Sequence, residues 1–226
     1  VAIFVWSGVI IASMSTLETV CEFFGLDTVP TSSPVTLVNR HRDELPLLFR
    51  RLNFEQGAEI GVEVGRYSKV LCEGHPGMRL HCVDAWQAYR GYREHVSQEK
   101  VDGFFEATKQ RLGPYNVNYI RKFSVDAAKD FKKNSLDFVY IDANHALQYV
   151  IADIAAWEPI VKPGGILCGH DYAHRGGRGY NCHVIEAVQA WTTAYRIEPW
   201  FVIGSRERLP DGARPTAPSW LWVKNA

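Results

Sequence analysis

The sequence lacks most features that would assign a chain of this size quickly. No apolar run approaches the roughly 20 residues needed to span a bilayer. The longest, residues 1–13, is uncharged, and no basic segment precedes it, as a signal peptide would require. Charge of one sign is not in excess: 25 basic residues face 25 acidic ones. That argues against a dedicated nucleic-acid or anionic-membrane surface. The five cysteines, Cys21, Cys72, Cys82, Cys168 and Cys182, are odd in number and form no C-x-x-C pair. A disulfide framework or zinc cluster is therefore not expected, and a reducing cytoplasm fits. Cys82 and Cys168 sit in apolar runs and read as small core residues. Phosphate-binding signatures are also missing, since there is neither a Gly-Lys-Ser/Thr nor a complete G-x-G-x-x-G. Internal repeats and low-complexity segments are absent.

What remains is ordinary globular material, 46% hydrophobic and 22% charged, enough for one domain with a core of useful size. Residues 14–56 read as a mainly helical extension, broken by the Pro- and Ser/Thr-rich stretch 28–34. Met14 opens a polar, helix-like stretch. Two readings of residues 1–13 stand: upstream sequence foreign to the native protein, or an element that packs on a partner. From 57 to 226 strand and helix patterns alternate. Strands are expected at 57–64, 79–86, 115–123, 136–144 and 164–172. The fourth, nearly continuous in apolar residues, suits a central parallel strand buried on both faces. Val150, Ile154, Trp157 and Val161 line one face of a helix over 146–161, which Pro163-Gly164-Gly165 would stop. Val184, Val188, Trp191 and Tyr195 do the same over 183–195. The tail is different. Residues 199–204 and 219–224 are two strands with no helix between them, as in an antiparallel hairpin at a sheet edge.

Chemistry-bearing residues recur where these strands end, the place where open α/β sheets bind ligands. Gly61 and Gly65 punctuate the turn after the first strand, beside Glu59, Glu63 and Ser68. An acid in that turn disfavours a pyrophosphate. Asp84, followed by Ala85 and Trp86, closes the second strand 19 residues after Gly65; a carboxylate there can accept from two ribose hydroxyls. Ser124-Val125-Asp126 follows the third strand. Asp142 and His145 form D-x-x-H after the fourth, and His170-Asp171 closes the fifth. Plainer roles stay open: Ser124 and Asn144 as helix caps, Trp86 as core.

The segments AEIGVEVGRYS, HCVDAW and DFVYIDANHALQYVIADIAAWEPIVKPGGILCGHDY resemble class I S-adenosylmethionine (SAM)-dependent methyltransferases. Within them the similarity is to the methyltransferase domain 24 group, which includes sugar and macrolide O-methyltransferases and cephalosporin-hydroxylase-like proteins. The resemblance covers about residues 55–195. It implies an α/β, Rossmann-like sheet of seven strands: five parallel β–α units and a C-terminal antiparallel hairpin, with the helical extension in front. It implies SAM as cofactor, held by Glu59, Gly61, Glu63, Gly65, Ser68, Asp84, Ala85, Trp86, Asp142, and Ser124 and Val125 at the adenine.

Methyl transfer from a sulfonium to an alcohol needs alignment and removal of a proton, by a general base or by a metal that acidifies the hydroxyl. Metal-dependent sugar O-methyltransferases of this type carry an acid at the position of Asp142, an acid pair at His170-Asp171 and their base at His145. By that resemblance Asp142 and His145 are the catalytic candidates. Asp142, His170 and Asp171 are the candidate ligands of a divalent metal, magnesium, manganese or another. His170 departs from the pattern by replacing a carboxylate, which favours a softer ion or none. The expected partner is a small-molecule methyl acceptor, not nucleic acid or membrane; a homo-oligomer stays open. Residues 85–103 and the Gly-rich loop 172–183, with Arg175 and Arg178 able to hold an anion, are candidate substrate walls. Two other functions compete: a nicotinamide-dependent oxidoreductase, and a SAM-fold binding or accessory protein without methyl transfer.

Overall fold

The structure is a computed structural model that describes residues 14–89, 97–174, 182–204 and 217–225. Residues 1–13, about which two readings were open, lie outside it.

Helix α1 (Thr16–Phe23) starts with a reciprocal cap. The Ser15 hydroxyl accepts from the Glu18 N–H, and the Glu18 carboxylate accepts from the Ser15 N–H at 2.7 Å. Strand β1 (Val35–Leu37) follows, then a 3-10 turn (Arg42–Glu44) and α2 (Leu45–Arg51). The remaining elements are β2 (Gln56–Ile60), α3 (Arg66–Gly74), β3 (Arg79–Asp84), α4 (Gln98–Leu112), β4 (Val117–Arg121) and α5 (Ser124–Ala128). After them come β5 (Leu136–Ile141), α6 (Leu147–Trp157), β6 (Val161–Gly169), α7 (Val184–Tyr195), β7 (Trp200–Ile203) and β8 (Ser219–Val223). Among the described residues no helix is long and apolar enough to cross a membrane.

One mixed sheet holds all eight strands in the order β1-β7-β8-β6-β5-β2-β3-β4. Strands β2 to β6 are mutually parallel, and β8 runs antiparallel between β6 and β7. This is the Rossmann-like α/β class expected, with one strand more. The extension is not purely helical: β1 pairs parallel with β7 through Val35–Phe201 and Leu37–Ile203. The tail hairpin is thus not the sheet edge. Its outer strand would otherwise expose unpaired backbone groups, and β1 covers them.

Helix α6 ends at Trp157, four residues before the expected limit. A 3-10 turn containing Pro159 follows, and Val161 already belongs to β6. The register break between Leu136 and Phe138 absorbs the Pro163-Gly164-Gly165 segment inside the strand.

Side chains of β5 alternate between two cores, as the period of a strand demands. Phe138 and Tyr140 join Val20, Leu48 and Leu71 on one face. Val139 and Ile141 join Ile154, Trp157 and Val188 on the other. All six residues of β5 are buried, which explains its unbroken apolar run. The extension contributes Leu45, Leu48 and Phe49 to the first core, with the Phe49 and Phe138 rings stacked at 4.1 Å.

Candidate active site

The chain runs outward through β2, β3 and β4, then crosses back to place β5 on the other side of β2. A crevice at the strand ends beside that reversal is the ordinary ligand site of open α/β sheets. Here it is a cavity of about 760 Å³ reaching from His170 and Asp171 after β6 to Phe123 and Ser124 after β4.

The turn after β2 is built around close backbone approach. Gly61 has φ +88°, and a Cβ there would run into the Asp142 carbonyl and the Ala143 backbone. Only glycine lets the two strand ends lie so near. Asp84 fixes the turn from the next strand. Its carboxylate accepts from the N–H groups of Val62 (3.0 Å), Glu63 (2.9 Å) and Trp86 (2.8 Å). Glu63 is held at φ +52°, and its carbonyl accepts from the Trp86 indole at 2.8 Å. Gly65, at φ +71°, then starts α3 with no side chain capping its first N–H groups.

Of the residues expected to meet a cofactor, Glu59, Gly61, Glu63, Asp84, Ala85, Ser124, Val125 and Asp142 line the cavity. Gly65, Ser68 and Trp86 do not. Trp86 is 1% exposed and packs on Phe105, so the structure places it in the core. The buried Ser68 hydroxyl donates to the Glu59 carboxylate. Ser124 is not a side-chain cap of α5; its hydroxyl accepts from the Trp157 indole at 2.9 Å. Asn144 sits before α6, with its side chain accepting from the Ala146 N–H at 3.0 Å. Burial is the main force raising the Glu59 carboxyl to about 8, against the Ser68 hydrogen bond.

At the other end four expected residues converge. His145 Nε2 lies 2.9 Å from Asp171 Oδ2 and 3.5 Å from Asp142 Oδ1. His170 Nδ1 is 3.6 Å from Oδ2 of both acids. Burial works to lower the His145 imidazole, but the Asp142 and Asp171 carboxylates outweigh it and raise it to about 9. Burial likewise opposes ionisation of Asp171, yet His145 and His170 hold its carboxyl well below the usual range. Ligand atoms of Asp142, His170 and Asp171 all lie within 4.8 Å of one another. Two carboxylates and an imidazole are suitable donors for a divalent ion. The buried His170 Nε2 has no hydrogen-bond partner among the described residues, so the imidazole is not tied down through that nitrogen. By composition and spacing this cluster fits a metal.

Two cavity residues, Arg42 and Asp153, carry no local signal in the sequence, and a third, Tyr89, comes from the expected substrate wall 85–103. Arg42, from the 3-10 turn of the extension, places Nη1 3.3 Å from Asp142 Oδ2 and 3.4 Å from the Tyr140 hydroxyl. Its guanidinium lies 4.4 Å from the Tyr67 ring centroid, and the Tyr67 hydroxyl donates to the Arg42 carbonyl at 2.8 Å. Asp153, on α6, is 5% exposed, and burial raises its carboxyl to about 7 beside the Ser124 hydroxyl. Tyr89 meets Phe123 edge-on at 5.6 Å. Exposed Phe123, Val125 and Tyr149 make the cavity rim at that end apolar. Arg175 and Arg178 and residues 90–96 of the two expected substrate walls lie outside the described residues.

Comparison with known proteins bears on the family and the fold. Residues 58–172 match the model of a methyltransferase domain family. No curated protein matches the sequence. Among solved structures, an O-methyltransferase from Bacillus cereus in complex with S-adenosylhomocysteine (SAH) aligns at TM-score 0.56 and 18% identity, over 96% of this chain and 94% of that one. The O-methyltransferase TomG from Streptomyces achromogenes, involved in tomaymycin synthesis and in complex with SAM, aligns at 0.52 and 16%, over 93% and 88%. The N-methyltransferase NodS from Bradyrhizobium japonicum aligns at 0.53 and 12%, over 82% and 95%. At these identities the likeness is one of fold.

Proposed function

The chain belongs to this methyltransferase domain family, and on that premise we propose that it transfers the methyl group of SAM to a hydroxyl of a small molecule. One observation carries the reading. A single cavity joins a glycine turn braced by Asp84 to the His145–Asp171 pair, across adjacent strand ends. Strands about 4.8 Å apart spread five such ends over about 19 Å, room for an extended nucleoside–amino acid with an acceptor beside it. In this reading the adenine lies by Ser124 and Val125, the ribose by Asp84, and the sulfonium over Glu59 and Gly61. The acceptor then faces Asp142 and His145.

Methyl transfer is an in-line displacement in which the acceptor oxygen bonds to the methyl carbon as the sulfur–carbon bond breaks. The cofactor supplies the leaving group; the chain supplies alignment and a proton acceptor. In its neutral form His145 takes the hydroxyl proton, and Asp171, 2.9 Å away, stabilises the imidazolium that results; because the two carboxylates raise the ring to about 9, the share of protein carrying this free base grows as pH climbs toward that value. Asp142 Oδ1 lies 3.5 Å from the same Nε2 atom and adds to that stabilisation. A divalent ion held by Asp142, His170 and Asp171 would acidify the acceptor hydroxyl as a Lewis acid.

The fold also carries N-methyl transfer in NodS, so the acceptor atom rests on the His145 dyad rather than on the sheet. Formation of SAH from SAM over a panel of hydroxylated and amine acceptors, with and without EDTA, tests the reading. Turnover only with amines removes the O-transfer; EDTA-insensitive turnover removes the metal. Calorimetry with SAM and NAD separates the oxidoreductase alternative, and SAM binding without turnover on any acceptor supports an accessory protein.

A further inference from the structure

A cofactor laid along this cavity presents one negatively charged group, the carboxylate of its amino-acid end, to a wall rich in acids. Glu63, Asp84 and Asp142 all line it and repel that group. The cationic side chains of the wall are few. Lys122 stands at the far, β4 end and pairs with Asp130 at 2.6 Å. Arg66 is exposed at the start of α3. His145 and His170 are engaged with Asp142 and Asp171 at the acceptor end.

Arg42 is differently placed. It meets the wall at β5, through Tyr140 and Asp142, beside the strand end where the sulfonium reading puts the cofactor's centre. Its stem and fork are oriented in advance by the Tyr67 ring and by the Tyr67 hydrogen bond to its carbonyl. Its present ion pair is loose: 3.3 Å to Asp142 Oδ2, where a charge-assisted bond runs about 2.7–2.9 Å. Asp142 is also shared with His145 and His170. Among the described residues Arg42 Nε and Nη2 donate no hydrogen bond, so two edges of the planar fork remain for a planar anion.

We propose that Arg42 is the residue that binds the carboxylate of the cofactor's amino-acid end, so that the N-terminal extension completes a site begun by the sheet. The assignment rests on the SAM reading above. It lies outside residues 58–172, the part of the chain that matches the family. The extension is then a functional part of the cofactor site, anchored in the core by Leu45, Leu48 and Phe49.

Two ligands isolate the contact. SAH carries the amino-acid carboxylate; 5′-methylthioadenosine keeps the nucleoside and sulfur but lacks it. Calorimetry on the full chain should show Arg42→Ala weakening SAH about tenfold or more, the effect of losing a charged hydrogen bond. Methylthioadenosine should change by less than about twofold. Arg42→Lys keeps the charge and the stem over Tyr67 but loses the fork, so it should weaken SAH by an intermediate factor and spare methylthioadenosine; it carries the test if Arg42→Ala does not fold. Equal loss for both ligands, or unchanged SAH affinity, overturns the role of Arg42 while leaving SAM binding intact. Failure of the wild-type protein to bind either ligand overturns the cofactor reading itself.

Discussion

The backbone carbonyl of Asp142 occupies the space that a side chain on Gly61 would need. This contact joins the turn after β2 to the segment after β5. Gly61→Ala therefore faces two penalties, a residue with φ near +88° and a clash with immovable backbone. Gly77→Ala is the matched control, with φ +91° and nothing within 4 Å of its Cβ. The control should lose roughly 1 kcal/mol from strain alone. Gly61→Ala should lose about 2–3 kcal/mol more and bind SAH poorly. Chemical denaturation compares the two; equal losses would show that the contact is not restrictive.

Asp84 spends its carboxylate on two backbone N–H groups of the neighbouring turn, Val62 and Glu63, and on the N–H of Trp86 just after it. Asp84→Asn replaces one acceptor oxygen with a donor that must face an N–H. Stability should fall by roughly 1–3 kcal/mol. Hydrogen exchange at Val62 and Glu63 should accelerate, and SAH affinity should drop with it. If exchange at those amides is unchanged, Asp84 is not what holds the turn.

Much of this site was legible because parallel strands put their functional residues at one end. Asp84, Asp142 and the His170-Asp171 pair each follow an apolar run, so locating the run located the residue. What escaped had no local pattern. Strand β1 has three residues, too few to show a period, and exists because β7 needs a neighbour. Arg42 reaches partners 25 to 100 residues away. Asp153 looks like a polar position of an amphipathic helix until the fold turns it toward Ser124. Trp86 admits two readings, cofactor contact or core, and local sequence does not choose between them; its indole is spent on the Glu63 carbonyl inside the core.

His145 and Asp171 form the tightest contact at the acceptor end. His145→Ala should lower turnover at least about 100-fold, a usual share for general-base catalysis, and leave the SAM dissociation constant nearly unchanged. Asp171→Asn should also lower turnover without weakening SAM. Single-turnover kinetics and calorimetry separate the two quantities. Undiminished turnover in His145→Ala removes it from the chemistry.

Asp153 is a buried carboxyl raised by burial to about 7. A folded-state value above the unfolded one means the folded chain holds the proton more tightly. The associated stability is present below about pH 4 and is lost as pH rises to about 7. Asp153→Asn removes that dependence and keeps a polar group beside Ser124. The variant should gain on the wild type by roughly 1–3 kcal/mol between pH 4 and pH 8. Urea denaturation at both limits checks this; parallel pH profiles would mean that Asp153 is ionised in the folded chain at low pH.

With SAM seated as proposed, Glu59 should couple cofactor binding to protons. Burial raises its carboxyl to about 8, so at pH 7 the free protein holds the proton. A cationic sulfonium arriving beside Glu59 favours the carboxylate and expels that proton. SAM affinity should therefore rise with pH from 6 to about 8 and then level off. Titration at pH 7 in two buffers of different ionisation enthalpy should show proton release, at most about one per SAM. Glu59→Gln should abolish the release and flatten the pH dependence attributable to this group. The neutral thioether of SAH should release less than SAM does, because the sulfonium charge supplies the driving force. Equal release by both ligands would place the charge that Glu59 senses on the amino group instead.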